Sequence, residues 1–258
     1  MSAPVIIQVQ DGIGIMSLNR PDKFNCLSFA AHEAIQEACS TLEADASVRA
    51  ILIRAEGEHF CTGADLQEIT GIMDDAAAVE RFMSFGHKTM TRIEESPLPV
   101  VVAVQGLCLA GGLELMLTAD VCFAAEGARF GDQHSRFGLL PGWGASQRLP
   151  RLIGMRRALD LMYSGRWLGA EEARLIGLVN YVISDAALSE EAMKYCLELG
   201  VRARSGLSEM KRLARTGAEM PLTDALQLEC DAVVHHLQGT DAAEGIAAFR
   251  ERRKPSFK

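Results

Sequence analysis

Apolar and polar positions follow a strand-like period in some stretches of the chain and a helix-like period in others. VIIQVQ at 5–10 and IGIMSL at 13–18 flank a turn at Asp11-Gly12, the pattern of an antiparallel hairpin. A helix is predicted from Ser28, which suits an N-cap, to Ala44, and RAILIRAE at 49–56 reads as a buried strand rich in branched residues. VVVAVQ at 100–105, VCFAA at 121–125 and LVNYVI at 178–183 are further strands, each next to a segment of helical period. This alternation predicts an α/β core. Past Ala187 the segments 187–203, 206–218, 222–238 and 241–251 all read as helices. Leu222, Leu226, Val233 and Leu237 make an apolar stripe there, which must fold over the core or pack against another subunit.

Composition narrows the picture. The 258 residues are 48% apolar and 23% charged, values of an ordinary globule, and the net charge of −8 argues against nucleic acid as a partner. No uncharged segment approaches a membrane span, and the start lacks a basic region followed by a long apolar one, so no membrane association is expected. Seven cysteines occur without a C-x-x-C pair, which suits reduced thiols in a cytoplasmic protein. The histidines show no zinc spacing, DGIGIMS at 11–17 lacks the third glycine of a dinucleotide fingerprint, and GLCLAGGL at 106–113 lacks the Lys-Ser/Thr of a P-loop. Neither a metal nor a nucleotide cofactor is expected.

The candidate chemistry lies in two turns. In EGEHFCTGADLQEI (56–69) a strand ends, the chain turns through Gly63, and a short helix is predicted to begin near Ala64-Asp65. In GLCLAGGLELMLTAD (106–120) the turn passes Gly106, and Ala110-Gly111-Gly112 opens a helix carrying Glu114. Helix N-termini offer free N–H groups and a positive dipole end, which suits an oxygen that becomes negative during reaction; Ala64 and Gly111 are the expected donors. Each turn alone also fits a plain tight turn after a strand. Glu114 sits among leucines, where a carboxylate is costly unless it is paired, protonated or used. It reads either as an acid stabilising its helix N-terminus or as an acid/base beside the developing oxyanion.

NRPDKFN (19–25), HFCTGADLQEI (59–69), VVAVQGLCLAGGLEL (101–115), ARFGDQHSRFGLLPGWGASQRLPRLIG (128–154) and EGIAAFRERRKPSF (244–257) together resemble the enoyl-CoA hydratase/isomerase (crotonase) superfamily. The resemblance implies an α/β spiral of ββα units over residues 1–195, with a helical trimerisation region over 196–258. It implies that Ala64 and Gly111 donate to a thioester oxygen, with coenzyme A present only as part of the substrate. Hydratases of the family carry two glutamates; Glu114 matches the first, while His134 in FGDQHSRFG stands at the second, with Asp132 nearby as a spare acid or a loop-capping residue. A Glu114/His134 pair then suits hydration of a 2-enoyl-CoA. Isomerisation, decarboxylation or binding of acyl-CoA with weak catalysis are the alternatives. The resemblance also places the CoA along the turns at 23–26 and 61–67, near Lys23, Thr62, Ala64 and Leu66, with Arg253 and Lys254 of the basic tail facing its phosphates. The same basic residues also fit a solvated surface. Phe82, Phe85, Met73, Trp143 and Trp167 are candidate acyl-pocket walls or core residues, and a homotrimer or dimer of trimers is implied.

Overall fold

A computed structural model describes residues 3–257. The chain opens with β1 (Val5–Gln10), β2 (Ile13–Leu18), α1 (Phe29–Ala44) and β3 (Ala50–Ala55). Next come α2 (Leu66–Ile72), α3 (Ala76–Glu94), β4 (Val100–Val104), β5 (Leu107–Leu109) and α4 (Gly111–Met116). They are followed by β6 (Val121–Ala125), β7 (Arg129–Gly131), α5 (Ala145–Ile153), α6 (Met155–Ser164), β8 (Leu168–Gly169), α7 (Ala170–Leu175) and β9 (Tyr181–Ile183). The chain closes with α8 (Leu188–Gly200), α9 (Arg204–Gly217), α10 (Leu222–His236) and α11 (Thr240–Glu251).

The expected hairpin forms with Gln10 opposite Ile13, and both turn residues take positive φ (51° at Asp11, 77° at Gly12), as a tight twisted turn demands. Ser28 caps α1 by accepting the Ala31 N–H. The main sheet has the order β1-β2-β3-β4-β6-β9, parallel from β2 onward. Its central strands β2 and β4 are buried at every position, which is why they read as continuous apolar runs rather than alternating ones. A second sheet, β5-β7-β8, sits where β4 and β6 lead into their turns. Its strands are only two or three residues long, too short for a periodicity signal.

The structure shortens the strand expected at 178–183 to Tyr181–Ile183. The amides of Leu178 and Val179 turn back to the Ala173 carbonyl, closing α7, so these residues are not available to a ladder. Helix α8 runs unbroken across the division expected at 195/196 and packs on β2, β3, β4 and β6, burying Leu188, Ala192 and Cys196. The departure from the core comes after it. Neither α9 nor α10 buries a residue, and α11 buries only Ala248. Helix α9 is tied down by Arg204 on the Glu43 carbonyl (2.8 Å), Lys211 on Asp120 (2.7 Å) and Arg215 on Glu94 and Asp120 (2.8 Å each). Among the described residues no helix is long and apolar enough to cross a membrane.

Candidate active site

The two turns lie side by side. Cys61 donates to the Leu107 carbonyl and accepts from Leu109, clamping the end of one strand to the start of the other turn. Gly63 holds φ 113°, and a methyl group built on it would lie 3.1 Å from the Ala110 Cβ and 3.2 Å from the Gly111 nitrogen, so a side chain there would be strained in conformation and would crowd the other turn.

The Ala64 and Gly111 amides are both left without an acceptor, for different reasons. Helix α2 begins at Leu66 rather than Ala64, with Asp65 as its N-cap accepting from Gln67. Ala64 therefore precedes the cap. Its freedom comes from the parallel bridge to Leu27, which uses the Gly63 carbonyl and the Asp65 amide and skips the residue between them. Gly111 is the first residue of α4, where no intrahelical partner exists. Among the described residues, neither amide meets an acceptor. Ala110, between β5 and α4, holds φ 49° and ψ −120°, a strained conformation for an L residue, pinned by its N–H on the Gly131 carbonyl.

Glu114 is 1% exposed. Its carboxylate does not serve its own helix. Oε1 accepts the amides of Trp143 (2.7 Å) and Ala145 (3.0 Å), capping the start of α5, while Oε2 faces His134 Nε2 at 4.0 Å. Burial holds the Glu114 pKa above the usual carboxylate value, although the two amides and His134 pull the other way. His134 starts a 3-10 turn whose entry residue, Gln133, has φ 63°. Its Nδ1 lies 3.0 Å from Oδ1 of Asp132, a fully buried acid. Burial alone would lower the His134 pKa; the Asp132 hydrogen bond and the charges of Asp132 and Glu114 outweigh it, and the net shift is upward.

The family model for enoyl-CoA hydratase/isomerase matches residues 8–258. The chain belongs to the enoyl-CoA hydratase/isomerase family. It is 33% identical over 258 residues to a Bacillus subtilis protein named probable enoyl-CoA hydratase, with 98% of each chain covered. A Syntrophomonas wolfei protein named crotonyl-CoA hydratase is 32% identical, covering 98% of this chain and 97% of the relative. The crystal structure of a Bacillus anthracis enoyl-CoA hydratase superimposes with a TM-score of 0.95 at 34% identity, covering 99% of both chains. The fold is therefore that of the crotonase superfamily, and the chain is an enzyme of the enoyl-CoA hydratase type.

Within this enoyl-CoA hydratase/isomerase frame the other expected site residues separate into groups. The loop at 20–26 is fixed against the Gly63 turn: Asn25, at φ 54°, accepts the Arg20 amide and donates to the carbonyls of Glu56 and His59, and Arg20 pairs with Asp65 at 2.8 Å. Thr62 donates its amide to the Phe24 carbonyl, which joins the two loops, and Lys23 and Leu66 are exposed on them. Arg253 is engaged elsewhere, with Glu244 and Glu251 on its guanidinium, whereas Lys254 is exposed.

Of the candidate wall residues, Trp143 and Phe82 are buried, Phe85 stacks on Phe29, and Met73 and Trp167 are exposed. The Trp143 indole lies against Gly111 and Gly86, where a methyl group would sit 2.6 Å and 2.1 Å from it. Asp132 is the functional candidate that sequence reasoning underweighted. Its signal was the D-x-H spacing in FGDQHSRFG at the end of β7, which periodicity cannot distinguish from a loop cap.

Proposed function

We propose that this enzyme adds water across the double bond of a 2-enoyl-CoA thioester. The observation that carries the proposal is the Glu114 Oε2 to His134 Nε2 separation of 4.0 Å beside the Gly63/Gly111 contact. That gap is too long for a hydrogen bond, and a single water oxygen within hydrogen-bond distance of both atoms would bridge it. In this reading the Ala64 and Gly111 amides receive the thioester oxygen. The water oxygen bonds to C3 while one of the pair takes its proton, the double-bond electrons move onto the thioester oxygen, and a proton is then returned to C2. The amides stabilise the enolate; loss of one such donor costs about 3–4 kcal/mol in comparable sites.

The CoA portion would follow the loops at 23–26 and 61–67, past Lys23, Thr62 and Leu66. Lys23 and Lys254 meet no carboxylate among the described residues and suit its phosphates better than Arg253, which already holds two. The uncovered apolar face of α10, with Leu222 74% exposed, supports association with further copies of the chain, for which the family resemblance implies a homotrimer or a dimer of trimers.

Crotonyl-CoA is the first substrate to test, since the Syntrophomonas wolfei relative carries that name. Loss of the conjugated thioester absorbance should be rapid with the wild type and fall about 10²–10⁴-fold in Glu114→Ala. Turnover of a 3-enoyl-CoA instead would establish the isomerase reading, release of CO2 from a malonyl-type thioester the decarboxylase reading, and tight CoA binding with no turnover the binding-protein reading.

A further inference from the structure

We infer that Asp132 is the positioning residue of this site: it holds His134 as the Nδ1–H tautomer and turns the Nε2 lone pair toward Glu114 Oε2, so that the Asp132–His134 pair acts as the second base. The inference deepens the hydratase reading and rests on it for the chemical step, while the tautomer stands on geometry alone.

An ionised carboxylate only accepts, so the 3.0 Å contact from Asp132 Oδ1 to Nδ1 places the proton on Nδ1. Neutral His134 then presents an unprotonated Nε2, the atom that faces Glu114 at 4.0 Å. The same His134 backbone that forms the 3-10 turn donates to Asp132, to the carbonyl at 2.9 Å and to Oδ1 at 3.3 Å, which fixes ring and acid as one unit.

Packing alone does not account for Asp132. It has no exposed surface, and its second oxygen, Oδ2, is buried without a hydrogen-bond partner. A buried carboxylate left half-satisfied is destabilising, and no Arg or Lys pairs with it among the described residues. Its one side-chain partner is His134. The charged groups facing the His134 ring are Asp132, from the turn after β7, and Glu114, from α4.

The test begins with wild-type protein. 15N chemical shifts of the His134 ring, assigned by their absence in His134→Gln, should show the Nδ1–H tautomer above the imidazole pKa; an Nε2–H tautomer would overturn the inference. In Asp132→Asn, the imidazole pKa measured by the same titration should drop, because the anionic partner is gone. The limb of the pH–rate profile that reports His134 should move with it, kcat on crotonyl-CoA should fall about 10²–10⁴-fold as for a mis-set tautomer, and KM should stay within a few-fold. Asp132→Asn combined with His134→Ala should be no worse than His134→Ala alone, since the acid acts through the ring. An unchanged His134 pKa and pH profile in Asp132→Asn, or losses that multiply in the double variant, would overturn the positioning role. If Asp132→Asn unfolds, the wild-type tautomer still decides. If the wild type hydrates no 2-enoyl-CoA while the tautomer and the pKa shift appear as expected, the hydratase reading fails and the positioning role survives.

Discussion

The α/β core and the C-terminal helices are held in place by different means. In the core, β2, β4 and most of β3 are buried; a methyl group on Gly112 would strike the Cys61 carbonyl and one on Gly111 the Trp143 indole, while Gly63 packs tightly against the Gly111 turn. In the C-terminal region, α9 and α10 bury nothing, and α9 hangs on Arg204, Lys211 and Arg215, which reach carbonyls and acids at the edges of the core. Excluded volume therefore holds the site, whereas a few polar contacts hold the tail and leave its apolar face open. A reaction centre needs the first kind of region. A surface that meets another molecule is built from the second.

The sharpest way to break this contrast is Gly112→Ala. Alanine is the better helix former by about 1 kcal/mol, but its methyl would lie 2.1 Å from the Cys61 carbonyl oxygen, which already accepts from Leu109. No rotamer relieves a clash with backbone, so we expect a net loss of roughly 3 kcal/mol in urea unfolding, with turnover lost as the two turns part. An unchanged unfolding midpoint would show the turns to be far more compliant than their contacts imply.

A second test uses pH. Burial lowers the His32 pKa to about 4, and both of its ring nitrogens are buried without partners beside Trp143. The unfolded chain takes up this proton near pH 6.5, the folded chain only near pH 4, so between those values the unfolded state binds more protons and stability declines as pH falls. The contribution amounts to about 3 kcal/mol over that window and is flat outside it. His32→Phe should remove it, so that the difference between wild-type and variant stability changes between pH 6.5 and pH 4; parallel curves would refute the assignment.

The smallest expected effect is in the tail. Leu226, on α10, is 54% exposed, so Leu226→Asp should change the stability of the single chain by no more than about 0.5 kcal/mol. The same substitution should dissociate the proposed homotrimer or dimer of trimers, read by light scattering; a wild type that is already monomeric would refute that proposal. A large loss of monomer stability with assembly intact would show that the face is covered by the chain itself.

Much of this architecture was legible in the residues. The hairpin at Asp11-Gly12, the Ser28 cap and the four C-terminal helices appeared within a few residues of expectation, because local periodicity and capping chemistry specify them. Gly63 and Gly111 stood out in the sequence as turn glycines after strands; that the two turns pack against each other came from the fold. What local reasoning misjudged were the causes. The Ala64 amide is free because of a bridge to Leu27, not because it opens a helix. Glu114 does sit in the first turn of α4, but its hydrogen bonds go to the start of α5, 29 and 31 residues away. Arg253, which the sequence offered to a phosphate, is held in the fold by Glu244 and Glu251.

The sequence by itself pointed to the family through the resemblance of its motifs, and determined the α/β order of elements and the residue types on the two turns through local pattern. Tertiary structure alone decided which of Glu114's oxygens is left open, that His134 and not Asp132 faces it, and that Asp132 lies behind the ring with one oxygen unpaired. Those facts depend on angstrom-scale separations between segments joined only through the core, and hydrophobic periodicity carries no information about them.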